Sequence, residues 1–116
     1  MPAPLPRNLY IQHVLELYRL MPGTIGRIRR SDRHLAGSLH DRGIPIDIVT
    51  AALLLAAARR IFRSGEPLSP IASLHYIRPV IDELLAQSSD SDYVDYLCHK
   101  LASVAPDFAT AAHQLS

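Results

Sequence analysis

The sequence predicts an all-α protein, a compact bundle of five to six helices around one central buried helix. Apolar residues recur at helical spacing along most of the chain, and no segment shows the alternation of a half-buried strand. Residues 45–63 are rich in Ala and Leu, the strongest helix formers, and are apolar on nearly all sides. Because such a helix has to be buried on nearly all sides, we expect the other helices to pack round it.

The central helix also carries the first functional signal. Pro45 suits its first position, because the missing N–H of a proline has no partner there anyway. Between Ile48 and Ala58 only Thr50 is polar, yet these 11 residues fall short of the roughly 20 that span a bilayer. We therefore expect a soluble protein with no membrane partner. The last turn is predicted to form a cationic tip of Arg59, Arg60 and Arg63.

Two helices are predicted before the central one. Residues 1–7 contain three prolines and are expected to form a flexible lead-in. Asn8 is placed to cap a first helix, which Pro22 ends, and Ser31 is placed to cap a second. His34 stands where a capping box counted from that serine would have Glu, so the box is predicted to be incomplete.

Further helices are predicted after the central one. Residues 64–70 form a loop with two prolines and a glycine. The next helical pattern contains Pro79, so its regular helix starts either close to that proline or near Ser73 with a bend. A fifth helix and a short sixth make residues 89–116 a C-terminal extension of one domain, residues 1–116.

The composition gives no support to an enzyme, a metal protein or an exported protein. No signal peptide is recognisable, and the single cysteine, Cys98, cannot form an internal disulfide, so we expect a cytoplasmic location. One cysteine excludes a thiolate zinc cluster, and no two of the six histidines are spaced i, i+4. GxSxG, P-loop and GxGxxG motifs are also missing from the sequence. We therefore expect no metal, no cofactor and no catalytic site.

The formal net charge of +1 conceals a strong asymmetry. Residues 1–63 carry ten arginines and four acids, a balance of +6, whereas residues 64–116 carry two cations and seven acids, a balance of −5. This split suggests a basic surface for a polyanion. It would equally let copies of the chain associate head to tail or through a two-fold axis. Eleven of the 12 cations are Arg, which suits phosphate recognition, although a GC-rich genome would give the same bias.

The densest basic stretch is residues 24–30 and the position just beyond it. These residues show no periodicity and contain Gly26. The cations are Arg27, Arg29, Arg30 and Arg33. In one interpretation they form a basic loop or arm that lies along a nucleic-acid backbone. In the other, the stretch is a solvated connector whose arginines pair with carboxylates of the acidic half.

Tyr76 is the aromatic residue best placed for a binding role. It lies beside Arg78 in the segment SLHYIRPVI, shortly after the cationic tip. An aromatic ring with a neighbouring arginine can stack an unpaired base while the cation holds its phosphate. The other interpretation is an aromatic residue that packs in the core or at a hinge against the central helix.

The order of elements from residue 31 to residue 85 is similar to a known family. A polar-faced helix, the turn RGIP at residues 42–45, a long Ala/Leu-rich helix and a short loop precede SLHYIRPVIDELL. This order resembles the C-terminal domain of DnaD-like primosome and phage replisome-organiser proteins. The family's last segment has the pattern YI-x-x-I-L-x-x-W. Here Tyr76 and Ile77 match, conservative replacements follow, and Leu84 stands in place of the tryptophan.

The resemblance implies an all-α domain that binds single-stranded DNA, assists the loading of a replicative helicase and often self-associates. The residues it implies as DNA contacts are Tyr76, Arg59, Arg60, Arg63 and Arg78. A small accessory protein of a phage or another mobile element is the expected setting. Its protein partner would be a helicase, a transposase or another replication or recombination protein.

These observations lead to one hypothesis and two alternatives. The hypothesis is a non-enzymatic accessory protein that binds DNA, single-stranded or without sequence preference, through an arginine-rich face. That face is predicted to comprise Arg27, Arg29, Arg30, Arg33, Arg59, Arg60, Arg63, Tyr76 and Arg78. The alternatives are a helical protein–protein adaptor or homo-oligomerisation module, and an RNA-binding subunit of a larger ribonucleoprotein complex.

Overall fold

The computed structural model describes residues 5–63, 65, 68–87 and 91–114. This part of the chain contains six α-helices and one 3₁₀ turn. The helices are α1 (Arg7–Leu20), α2 (Arg30–Asp41), α3 (Ile46–Ile61), α4 (Arg78–Ala86), α5 (Ser91–Leu101) and α6 (Pro106–Gln114), and the 3₁₀ turn (Leu74–Ile77) precedes α4. Within the described residues, extended pairing is limited to one isolated bridge between Thr24 and Ile71. The all-α prediction is confirmed.

The centre of the bundle is α3, as predicted. Residues 49–58 are all buried, and α3 contacts α1, α4, α5, α6 and the 3₁₀ turn. The outer helix α2 packs on α1 and on the 3₁₀ turn, and it reaches the core through Leu35, Ala36 and Leu39. One continuous cluster of buried apolar side chains draws on all six helices. Among the described residues, no helix has both the length and the apolar content to cross a membrane.

The ends of α1 and α3 differ from the predicted ones by one or two residues. The prediction that Pro45 opens α3 is wrong by one position, because its extended backbone (ψ 143°) makes it the N-cap instead. The predicted cap at Asn8 is also wrong. The carbonyl of Pro6 accepts a hydrogen bond from Tyr10 N at 2.9 Å, so α1 begins at Arg7. Of the predicted lead-in, residues 1–4 lie outside the described part.

The two alternatives for the segment around Pro79 each describe part of it. The 3₁₀ turn begins directly after Ser73, whose hydroxyl accepts a hydrogen bond from His75 N at 3.1 Å. The regular helix α4 begins at Arg78, with the proline in its first turn, where a proline removes no hydrogen bond. The predicted loop 64–70 and the predicted extension 89–116 both fall partly outside the described residues.

Candidate nucleic-acid interface

The arginines of the densest basic stretch lie where α2 begins. Arg27 belongs to the preceding loop, Arg29 is the N-cap, and Arg30 is the first residue of α2. Arg33 follows within the first turn, and all four side chains are exposed. Among the described residues, none of the four forms an ion pair with a carboxylate. We call these four residues the arginine surface.

A buried carboxylate fixes the start of α2. Asp32 is fully buried, and its Oδ2 accepts a hydrogen bond from the backbone N–H of Arg29 at 2.9 Å. Its Oδ1 accepts from Leu74 N at 2.8 Å and from the Ser73 hydroxyl at 3.3 Å. The predicted cap at Ser31 is therefore wrong. The N-cap is Arg29, two residues earlier, and Asp32 is the third residue of the helix, where its carboxylate accepts the hydrogen bond from the N-cap N–H.

A second set of contacts ties the preceding loop to the segment before the 3₁₀ turn. Ile25 N donates to the carbonyl of Ile71 at 3.0 Å, and Ile71 N donates to the carbonyl of Gly23 at 2.6 Å. Gly23 has a φ of +91°, and a Cβ atom there would lie 2.9 Å from Nε of Arg60. The left-handed backbone favours glycine here, and a larger residue would also have to displace the guanidinium of Arg60. The loop is thus held against the end of α3 that carries Arg60.

The two adjacent arginines of the cationic tip point to different neighbours. Arg60 Nη2 donates to the carbonyl of Ser69 at 2.8 Å, and its guanidinium carbon lies 5.6 Å from the centre of the Tyr76 ring. Arg59 instead forms a bidentate ion pair with Glu83 of α4, in which Nη1 donates to Oε2 at 2.9 Å and Nη2 donates to Oε1. Hydrogen bonding to this guanidinium lowers the pKa of the Glu83 carboxyl.

The remaining predicted residues flank this region. Tyr76 is 43% exposed, so it is a surface aromatic and not a core residue. Arg78 is exposed at the start of α4, and Arg63 is exposed just beyond the C-cap of α3. The structure therefore joins Arg60 and Tyr76 in one contact, whereas Arg59 is engaged by the acidic half of the chain.

A groove between α1 and α2 extends the arginine surface. Two adjoining depressions of about 320 and 370 Å³ share the lining residues Asn8, Ile11 and Arg33. Cationic or ionisable side chains line the larger one: Arg7, Arg30, Arg33 and His34. The arrangement offers several hydrogen-bond donors to a phosphate group.

Arg7 enters the groove through a tertiary contact that the sequence does not reveal. Its Nε donates to Oδ1 of Asp41 at 2.9 Å and its Nη2 donates to Oδ2 at 3.2 Å, which joins the start of α1 to the end of α2. These contacts lower the pKa of the Asp41 carboxyl. Gly37 leaves the necessary space, because a Cβ atom at that position would lie 2.5 Å from Nη2 of Arg7.

A second surface that sequence reasoning missed lies where the end of α3 meets α5. The ammonium group of Lys100 is 4.8 Å from the centre of the Phe62 ring and 5.8 Å from that of Tyr96. The rings of Tyr93 and Tyr96 stack with centres 6.4 Å apart and planes inclined by 19°. We call these four residues the aromatic–lysine patch. The i, i+3 and i, i+4 spacing of its α5 members was the only signal in the sequence.

The thiol of Cys98 and the possible metal ligands give no sign of a reactive site in the described residues. Cys98 is buried on α5, and burial raises the pKa of its thiol, which disfavours the reactive thiolate. Within the described part of the chain, no three His, Cys, Asp or Glu side chains are grouped so that they could hold a metal ion.

No protein-family model, no curated protein and no solved structure matches the chain. The resemblance to DnaD-like domains over residues 31–85 therefore stays a prediction.

Proposed function

We propose that this chain is a non-enzymatic protein that binds nucleic acid through the arginine surface and the adjoining groove. The observation that carries the proposal is the set of four exposed arginines within seven residues, none paired with a carboxylate in the described part of the chain. A connector whose arginines served only to neutralise the acidic half would place them against that half. Arg59 is placed in that way, against Glu83, and the arginine surface is not.

The arrangement of the backbone supports the same proposal. The carboxylate of Asp32 and the pairing with Ile71 hold the loop in one conformation, so little further ordering is needed on binding. Arg30 and Arg33 line the larger depression, where a phosphate would meet more than one donor.

The mechanism is the displacement of counterions from phosphates by guanidinium groups. The arginine surface, with Arg60 and Arg78 as neighbours, would neutralise about four to six phosphates. The logarithm of the binding constant should then fall with the logarithm of the salt concentration with a slope of about −3 to −5. Binding by this mechanism has little sequence preference, since phosphate contacts carry no base information.

The test is a pair of charge-matched double variants. Arg29→Ala/Arg30→Ala should weaken binding to all sequences alike and reduce the salt slope by about 2, one unit per lost contact. Arg42→Ala/Arg59→Ala is the control. It removes the same charge from the far end of α2 and from a residue already engaged by Glu83, so it should keep the parent slope. Equal effects of the two variants, or affinity unchanged between about 50 and 200 mM salt, would refute the proposal.

The competing function is a helical adaptor or homo-oligomer formed through the oppositely charged halves. Light scattering in low and high salt separates the two, because an oligomer that dissociates in salt and ignores nucleic acid would support the adaptor. A replication or mobile-element setting, with a helicase or transposase as partner, rests on the family resemblance alone. Both DNA and RNA fit a mechanism built on phosphate contacts.

A further inference from the structure

The exposed aromatic side chains of this protein share one property. Phe62, Tyr76 and Tyr96 are 46%, 43% and 56% exposed. Each of their rings has a cationic nitrogen or guanidinium carbon within 6 Å of its centre, from Arg60 in one case and Lys100 in two. Exposed rings beside cations are how proteins hold unpaired bases, because the ring stacks on the base while the cation attracts the phosphate.

These rings surround one end of α3. Phe62 is the C-cap of that helix, and Arg60 lies two residues before it, so their Cα atoms are at most about 7.6 Å apart. The contact of Arg60 with Tyr76 and the aromatic–lysine patch therefore lie beside the same helix end. Because positions two apart on a helix point about 200° from each other, the two contacts lie on different sides of that helix end, and a strand would have to pass round it to touch both.

We infer that the aromatic–lysine patch is a second contact surface for the bound nucleic acid and that it stacks unpaired bases. The inference rests on the proposed function and adds a second contact surface to it. Stacking on a side chain requires an exposed base face, whereas in a duplex these faces lie between neighbouring base pairs. The positive charge of Lys100 between two rings suits a polyanion. It would be a desolvation cost in an apolar protein interface.

The first experiment compares single strands with duplexes. Phe62→Leu/Tyr96→Leu keeps apolar side chains at both positions and removes the flat aromatic faces, together with the hydroxyl of Tyr96. Affinity for a labelled thymidine oligomer should fall by about tenfold or more, and affinity for a duplex of the same length should stay within about twofold. The control is Leu85→Ala/Val104→Ala, which truncates two apolar side chains that are 45% and 51% exposed, and it should bind both ligands as the parent does.

The second experiment detects stacking directly and needs only one conservative change. The chain contains no tryptophan, so Tyr96→Trp introduces a single fluorescent reporter at the patch. A thymidine oligomer should quench its fluorescence on binding. Heparin and an abasic oligomer of equal length carry the charge without bases, and they should bind with little quenching.

Different measurements decide the inference and the proposed function. Quenching by the thymidine oligomer alone supports it. Parent-like binding by the double leucine variant, or equal quenching by heparin, overturns it, while the salt slopes of the arginine variants still decide the proposed function. An oligomer that the leucine variant dissociates, with nucleic-acid affinity unchanged, also overturns it and assigns the patch to self-association. If the parent binds no nucleic acid, both proposals fail.

Discussion

Replacing Asp32 should damage the fold far more than replacing any exposed acid. Its carboxylate is fully buried and accepts hydrogen bonds from two backbone N–H groups on different elements, those of Arg29 and Leu74. Asp32→Ala removes both acceptors at once. The Leu74 N–H is buried, so water cannot replace the lost partner there, whereas the Arg29 N–H is only partly buried.

The magnitude follows from these contacts. A buried donor left without an acceptor costs about 1–3 kcal/mol. Loss of the capping contact adds about 1 kcal/mol, and loss of the negative charge from the first turn of α2 adds about 0.3–1 kcal/mol. We therefore expect Asp32→Ala to lower the free energy of unfolding by about 3 kcal/mol. Asp32→Asn keeps one good acceptor and should cost about half as much.

Urea unfolding measures this difference. Asp47→Ala is the matched control, because Asp47 lies in the first turn of α3 but is exposed. It loses only the favourable interaction with the helix dipole, about 0.3–1 kcal/mol. If Asp32→Ala fell within about 0.5 kcal/mol of the control, the buried carboxylate would not be the anchor that positions the arginine surface.

Two further predictions test the loop and the groove. Gly23→Ala should lower the free energy of unfolding by about 1–2 kcal/mol because of the left-handed backbone. The added Cβ should also displace the Arg60 guanidinium, which adds a further loss. Gly26→Ala, with a similar φ of +74° and open space around it, isolates the backbone cost, so equal losses would contradict the contact. Arg7→Gln should raise the pKa of the Asp41 carboxyl, followed by NMR titration. Because that pKa is depressed in the folded state, its contribution to stability is present near neutral pH and is lost as the pH falls below about 4, and an unchanged Asp41 titration would show that Arg7 is not its partner.

Most of the helices could be predicted because their signals are local. The periodicity around α1 and the apolar run of α3 are set by neighbouring residues, and both predictions hold in the structure. The caps could not be predicted. The start of α2 depends on hydrogen bonds from Asp32 to residues 73 and 74, more than 40 positions away, and no local pattern around Ser31 carries that information.

The candidate site was predictable in composition and not in geometry. The basic stretch from Arg27 to Arg33 could be predicted because four arginines within seven residues are too many charges to bury. The sequence predicts one cationic tip that contains both Arg59 and Arg60, yet neighbouring positions on a helix point about 100° apart. One side chain consequently meets Glu83 and the other meets Tyr76. The aromatic–lysine patch could not be predicted, because it forms only when α5 packs against the end of α3.

The arginine surface is itself an argument for a polyanionic partner. Four like charges within seven residues repel one another, and a chain selected only for stability would place acids among them, as it does beside Arg59. Here the one carboxylate within the run, that of Asp32, is turned inward and used to hold the backbone. The local carboxylate therefore accepts hydrogen bonds from the backbone and fixes the loop, while the four guanidinium groups remain exposed to solvent. A ligand that neutralised them would relieve the repulsion and stabilise the native state in proportion to its concentration.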